Sequence, residues 1–389
     1  MVAQSFGPNI VVPSQPTCSD ANRLDGVPAG GVALCLSGGG YRAMLFHLGA
    51  LWRLNQLGYL PKINRISSVS GGSITAAVLG INWSRLGFNK FGVGEQFNTL
   101  VVEPIRGLSE KTIDIFSVMY GSFSRGGIGN RVATAYRKHL FHDKTLQDLP
   151  DNPRFVINAT NVQSGALWRF MKPYMRDYRV GEIKHPTTQL AVAVAASSAF
   201  PPFLSPVRLK LKTSAYTPRS GSDLQREPFT TRVVLTDGGV YDNLGLETAW
   251  KGYQTLLVSD AGGILNPQGN PRHNWVHHLI RSLYIIDSQV RNLRKRQLLD
   301  AFKLNLRHGA YWSIRTNIDS YNLYDAFDCP FEKTTQLASI ATRLKRLPPI
   351  IQERLINWGY AVCDTAMRKY VDATLTKSLG VPYPDVGVG

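Results

Sequence analysis

Acidic residues are scarce in this chain, and unevenly so. The 389 residues include 27 Asp and Glu against 44 Lys and Arg, a formal net charge of +17. Not one Asp or Glu occurs from residue 26 to residue 94. Cysteine is also rare, at positions 18, 35, 329 and 363 only, and no two are spaced as CxxC. That spacing argues against a zinc or thioredoxin-type site, and a reduced intracellular setting is expected. No apolar stretch reaches the roughly 18 residues that suggest a spanning helix. The closest, Leu190 to Leu204, carries two serines and two prolines. Met1 to Gln15 has no basic region followed by an apolar one, so no secretory signal is expected. Charged residues make up 18% of the chain and hydrophobic residues 43%. The first share is too low for a disordered polyelectrolyte, and the second is ample for a large core.

The pattern of what is present reads as alternating strand and helix. Residues 1–30 are rich in Pro, Ser, Asn and Gly and read as an irregular leader. Val32–Leu36 is an apolar strand ended by glycines, with Cys35 expected in the core. A helix follows over Tyr41–Gln56, then a strand over Arg65–Val69 and a helix over Ile74–Leu79. Strand then helix, twice, marks a parallel α/β sheet. Phe155–Ala159, Val233–Leu235 and Leu256–Ser259 read as further core strands. His273–Phe302 reads as a long amphipathic helix, with Leu279, Leu283, Ile286, Val290 and Leu293 on one face. That stripe is expected to pack on the core. Without internal repeats or a clean linker, residues 31–375 are expected to form one domain, with 376–389 as a C-terminal tail.

Three glycine-bearing turns carry the chemistry. Ser37-Gly38-Gly39-Gly40-Tyr41-Arg42 lies between strand and helix. Three glycines let the backbone turn sharply and present N–H groups, and the helix adds its positive end. Such a loop suits a phosphate or the oxyanion of an acyl transfer. Gly38, Gly40 and Ala43 also fit the dinucleotide fingerprint, which needs an acid about 20 residues on to hold the ribose. The acid-free stretch up to residue 94 removes that reading. Ser68-Val69-Ser70-Gly71-Gly72 is a variant of G-x-S-x-G, in which a strained strand-to-helix turn exposes a serine. A serine that merely caps the helix is the plainer alternative. Thr236-Asp237-Gly238-Gly239 follows a strand, and Asp-Gly is a common turn pair. In a parallel sheet, residues after strands gather at the carboxyl edge, which is expected to bring Gly40, Ser70 and Asp237 together.

Taken together, these motifs resemble those of the patatin-like phospholipases. Gly38 to Arg42 is similar to the family's oxyanion loop, Ser68 to Gly72 to its nucleophile elbow, and Asp237-Gly238-Gly239 to its Asp-Gly-Gly. Ala196-Ser197-Ser198-Ala199-Phe200-Pro201-Pro202-Phe203 resembles its Ala-Ser-x-Ala-x-Pro segment. Ser68 and Ala43 depart from the usual glycines, and neither departure removes a reacting group. The resemblance implies a three-layer α/β/α fold with a mainly parallel central sheet. It implies hydrolysis of phospholipid or other acyl-ester lipids through an acyl-enzyme, with no metal or cofactor. Ser70 would be the nucleophile, Asp237 the base, and Gly38, Gly39 and Gly40 the oxyanion donors. Arg42, Gly72 and Gly238 would support them, Arg42 by bracing the loop rather than touching substrate.

Two other readings stay open. A Ser-His-Asp triad would accept Ser70, Asp237 and one of His273, His277 or His278. A non-catalytic basic binding protein would use the charge alone, although no nucleic-acid motif appears and no specific nucleic-acid partner is expected. The expected location is cytoplasmic, with peripheral contact to anionic membrane. Arg291, Arg294, Lys295 and Arg296 form the candidate lipid-headgroup cluster.

Overall fold

The computed structural model describes residues 29–113, 128–271 and 274–389. The expected leader therefore falls almost wholly outside the described residues, as do Cys18 and His273. Among the described residues ten strands make one sheet: β1 (Ala29–Leu36), β2 (Ile63–Val69), β3 (Arg154–Asn161), β4 (Ala166–Phe170), β5 (Tyr174–Asp177), β6 (Gly181–Lys184), β7 (Val207–Lys210), β8 (Arg232–Asp237), β9 (Tyr253–Asp260) and β10 (His308–Ser313). The helices are α1 (Gly40–Gln56), α2 (Gly71–Asn82), α3 (Glu103–Ser109), α4 (Ile128–Tyr136), α5 (Leu190–Ser197), α6 (Gly239–Asp242), α7 (Glu247–Trp250), α8 (Trp275–Lys303), α9 (Phe331–Ala338) and α10 (Pro349–Tyr370).

β1 sits at the centre because it is apolar on both faces. Its neighbours on either side, β9 and β2, run parallel to it. Leu34 and Leu36 point into the larger core with α1, α2, α5 and α10, while Ala33 and Cys35 point into a smaller one beneath α7 and the C-terminal part of α8. Alternation along one buried strand thus builds the three α/β/α layers. The sheet is mixed. β10-β9-β1-β2-β3 are parallel, and antiparallel β4, β5 and β6 extend them beyond β3.

A fork in this sheet positions the chemistry. β2 runs parallel to β3 and ends with Val69 opposite Asn158. β8 runs antiparallel to β3 and ends with Asp237 opposite Ala159. β4 occupies the other edge of β3, so β2 and β8 share one edge and meet end to end. The meeting of Ser70 and Asp237 corrects the expected reason for it. They come together because two strands of opposite direction converge, not because both follow parallel strands.

Helix α1 is buried along nearly its whole length and crosses α10 at backbone contact. A Cβ on Gly359 would lie 1.9 Å from the Phe46 carbonyl oxygen, so only glycine fits. Gly359→Ala is expected to lower unfolding free energy by about 1–3 kcal/mol or more, read by denaturant titration. The segment 376–389, set apart above as a tail, packs onto this helix pair. Val388 is buried, and Asn357 donates to the Tyr383 and Gly387 carbonyls, both at 2.7 Å.

Candidate active site

Ser70 occupies the turn between β2 and α2 with φ 53 and ψ −120, a region that non-glycine residues rarely adopt. It sits at the N-cap position, yet its side chain makes no cap bond. The plain capping role therefore does not describe it. Holding such a backbone costs about 1–3 kcal/mol and requires surroundings that impose it. A chain of hydroxyls does so here. The Ser70 N–H donates to Ser197 Oγ at 3.0 Å, and Ser197 Oγ lies 2.9 Å from Ser73 Oγ. Ser73 donates to Ser68 Oγ at 3.0 Å, and Ser68 to the Val156 carbonyl at 3.1 Å. Ser68, where the motif usually has glycine, is thus a link in the clamp. Gly72 lies against the end of β1, where a Cβ would come within 2.5 Å of the Leu36 carbonyl oxygen.

Asp237 is the last residue of β8 and is buried. Its Oδ1 accepts the Gly239 N–H at 2.7 Å, while Oδ2 is buried without a partner in hydrogen-bond geometry. Burial pushes the carboxyl up to about 7. The Gly239 N–H and the Ser70 hydroxyl, close enough to act as a donor, pull it down, and the Asp287 carboxylate adds a smaller upward push. Gly238 packs on β3, where a Cβ would fall 2.4 Å from the Asn158 carbonyl oxygen.

The glycine loop closes over this pair. A Cβ on Gly38 would come within 3.1 Å of Ser70 Cβ, so loop and elbow touch. The Gly38 N–H already donates to the Asn243 backbone carbonyl and to Asn243 Oδ1, each at 3.1 Å. That corrects the expectation that all three glycine N–H groups are available. Gly39 and Gly40 donate to no acceptor among the described residues. Arg42 is buried, and its guanidinium grips the Ala261 carbonyl at 3.1 and 3.2 Å, Thr342 Oγ1 at 3.0 Å and the Ile340 carbonyl. Behind the loop, His47 bridges Ser259 Oγ at 2.8 Å and the Ser37 carbonyl at 2.9 Å. Burial pushes this imidazole down to about 4, so it is neutral at pH 7.

A patatin-like phospholipase family model matches residues 34–250, more than half of the chain, with Gly38 to Arg42, Ser70 and Asp237 inside the match. The chain belongs to the patatin-like phospholipase family. Among solved structures it is similar to human GIVD cytosolic phospholipase A2, at 12% identity over 87% of this chain and 58% of that one, with a TM-score of 0.43. For that protein's complex with methyl gamma-linolenyl fluorophosphonate the values are 13%, 86%, 57% and 0.47. VipD from Legionella pneumophila matches at 15% identity over 88% of this chain and 67% of its own, with a TM-score of 0.34. The chain thus spans less than two thirds of the human protein's length. No curated protein matches it.

In this patatin-like chain, Ser70 and Asp237 open into a cavity of about 1810 Å³. Val162, Phe203, Val240 and Ile264 are among its apolar walls. Phe200, from the segment before β7, stacks on Tyr284 of α8 with centroids 5.9 Å apart. His277 and His278 line the rim at the exposed start of α8, where the His277 ring bonds Asn274 at 2.6 Å. The Asp237 carboxyl accepts the Gly239 N–H and has the Ser70 hydroxyl beside it, and no histidine among the described residues bonds it. Among the residues missed in sequence, Asn243 and Asp287 carry no motif; Ser197 lay inside a segment already singled out.

Two expectations about α8 are corrected. The cluster expected to meet lipid headgroups is mostly turned inward. Arg291 is buried and donates to the Gly263 carbonyl at 3.1 Å, and Arg294 pairs with Asp242 at 3.5 Å and Glu247 at 3.1 Å. Lys295 lies 4.9 Å from the Tyr311 ring centroid, leaving Arg296 exposed. Four cations within six residues wrap around a 3.6-residue helix, and Asp260 at the end of β9, with Asp242 and Glu247 of α6 and α7, draws the inner ones. The apolar stripe expected in the core is instead largely in solvent, as Leu279, Leu283, Ile286 and Leu293 are all exposed.

Proposed function

We propose that this protein hydrolyses fatty acyl esters of lipids, phospholipids among them, with Ser70 as nucleophile and Asp237 as base. The observation that carries the reading is one juxtaposition: a strained serine beside a buried carboxyl of raised pKa, under two unclaimed backbone N–H groups, lining a large cavity with apolar walls. Asp237 takes the proton from the Ser70 hydroxyl as Oγ attacks the ester carbonyl carbon. The oxyanion is held by the Gly39 and Gly40 N–H groups. The tetrahedral intermediate collapses, the C–O bond breaks, and the departing alcohol takes the proton back from Asp237. Water then repeats the sequence on the acyl-enzyme: its proton passes to Asp237, and Ser70 regains a proton as the fatty acid leaves. An aspartate at its ordinary pKa near 3.9 is a weak base. Raised to about 7, it binds a proton more avidly and is still part-ionised at neutral pH. Lipid-product mass spectrometry on a mixed phospholipid panel tests the reading, by comparing the protein with Ser70→Ala. Equal product from both would overturn it.

The base must be ionised to act, so kcat/KM on a soluble ester is expected to rise with pH and reach half its plateau near pH 7. Asp287→Asn removes a nearby negative charge and should move that limb to lower pH. The same carboxyl has a folded pKa above its unfolded value of 3.8, so the folded state binds more protons between about 4 and 7. This group's contribution to stability therefore falls as pH rises across that window. An unchanged limb position in Asp287→Asn would argue against the electrostatic link.

A further inference from the structure

Helix α8 is buried at one end only. Of its 29 residues, the buried ones are Arg291, Leu298 and Ala301, so nothing from Trp275 to Val290 is buried. A surface helix normally turns its apolar stripe to the core. Here Trp275 is 76% exposed, Leu279 53% and Leu293 57%. On a helical wheel at 100° per residue these three fall within about 40° of one another, joined by exposed Ile286. A contiguous apolar strip of this kind marks an interaction surface.

Its position and charge point to one occupant. Leu283, Tyr284 and Ile286 line the cavity that holds Ser70, so the strip continues from the cavity mouth onto the outer surface. Trp275, Leu279 and Leu293 lie beyond that lining. From residue 261 to residue 299 the chain has one acid, Asp287, against six Lys and Arg, of which Arg291 and Arg294 are the two turned inward. Asp287 is half-buried toward Asp237 and Arg291. Arg296 on this helix and Arg343 at the cavity rim are exposed. No helix among the described residues is long and apolar enough to cross a membrane. Trp and aliphatic side chains on one face, cations beside them and a cavity mouth at the edge describe an element that lies in a bilayer interface.

We propose that the N-terminal half of α8, Trp275 to Ile286, docks the protein on an anionic lipid surface and sets the cavity mouth against the acyl chains. The proposal rests on the acyl-ester reading for its account of why the mouth faces lipid. The test uses the full chain carrying Ser70→Ala and sucrose-loaded vesicles of phosphatidylcholine, with and without phosphatidylglycerol, across a salt series. Binding is expected to need the anionic lipid and to weaken with salt. Adding Trp275→Ser and Leu279→Ser is expected to lower vesicle partitioning roughly tenfold or more. In the Ser70 protein the same pair should slow hydrolysis of vesicle lipid and leave a water-soluble short-chain ester untouched, since neither residue lines the cavity. Vesicle binding unchanged by the pair overturns the proposal. So does a dimer that the pair converts to monomer while lipid binding persists, because the strip then joins two copies. Stripe-dependent vesicle binding by a protein that hydrolyses nothing upholds the docking and overturns the hydrolase reading alone.

Discussion

Ser70→Ala and Asp237→Asn are each expected to cut ester turnover by roughly 10³ or more, with the double variant little worse than either. In the proposed mechanism the two groups act on one proton, so removing either leaves the other without a task. Ser70→Ala removes the attacking oxygen. Asp237→Asn keeps the shape and the Gly239 contact but offers an amide where a base is needed. Neither change should unfold the protein. Asparagine relieves the burial of a carboxyl whose charged form is disfavoured, so the Asp237→Asn protein should be at least as stable above pH 7. A fluorophosphonate probe should label Ser70 in the parent and nothing in Ser70→Ala. Turnover by Ser70→Ala at the parent rate would remove the serine from the mechanism.

Gly39→Val is expected to lower turnover by roughly 10²-fold or more, with a smaller effect on KM. Gly39 has φ 144, which side chains rarely tolerate. A Cβ there would also sit 2.8 Å from Arg42 Nη2 and 3.0 Å from the Ala261 carbonyl oxygen. Valine therefore turns the peptide and carries the Gly39 and Gly40 N–H groups off the oxyanion position. That loss falls on the transition state, where the oxyanion exists, more than on bound substrate. Gly38 offers an internal comparison, because its N–H is held by Asn243. Asn243→Ala should act through loop position, as a milder fall in kcat. If Gly39→Val matched the parent in kcat, the donors must lie elsewhere.

Much of this site is legible in the chain itself. An apolar run ended by three glycines, a serine between small residues and an aspartate before two glycines are local patterns. Each has a local physical cause, in the backbone freedom of glycine and the small volume a tight turn demands. The acid-free stretch before residue 94 likewise removes dinucleotide binding without reference to any fold. What the tertiary structure alone decides is relational. The direction of β8 is not written in Val233–Leu235; it follows from pairing with β3 and β7, and it turns an expected parallel edge into a meeting of opposed strand ends. The Gly38 N–H is claimed by a residue 205 positions away. The pKa of Asp237 is set by burial that no neighbour in sequence provides. Helical periodicity places Leu279, Ile286 and Leu293 on one face, and Arg291 and Arg294 on another, but not which face meets the core. Buried carboxylates drew the arginines inward and left the leucines in solvent, because an unpaired buried charge costs more than an exposed apolar side chain.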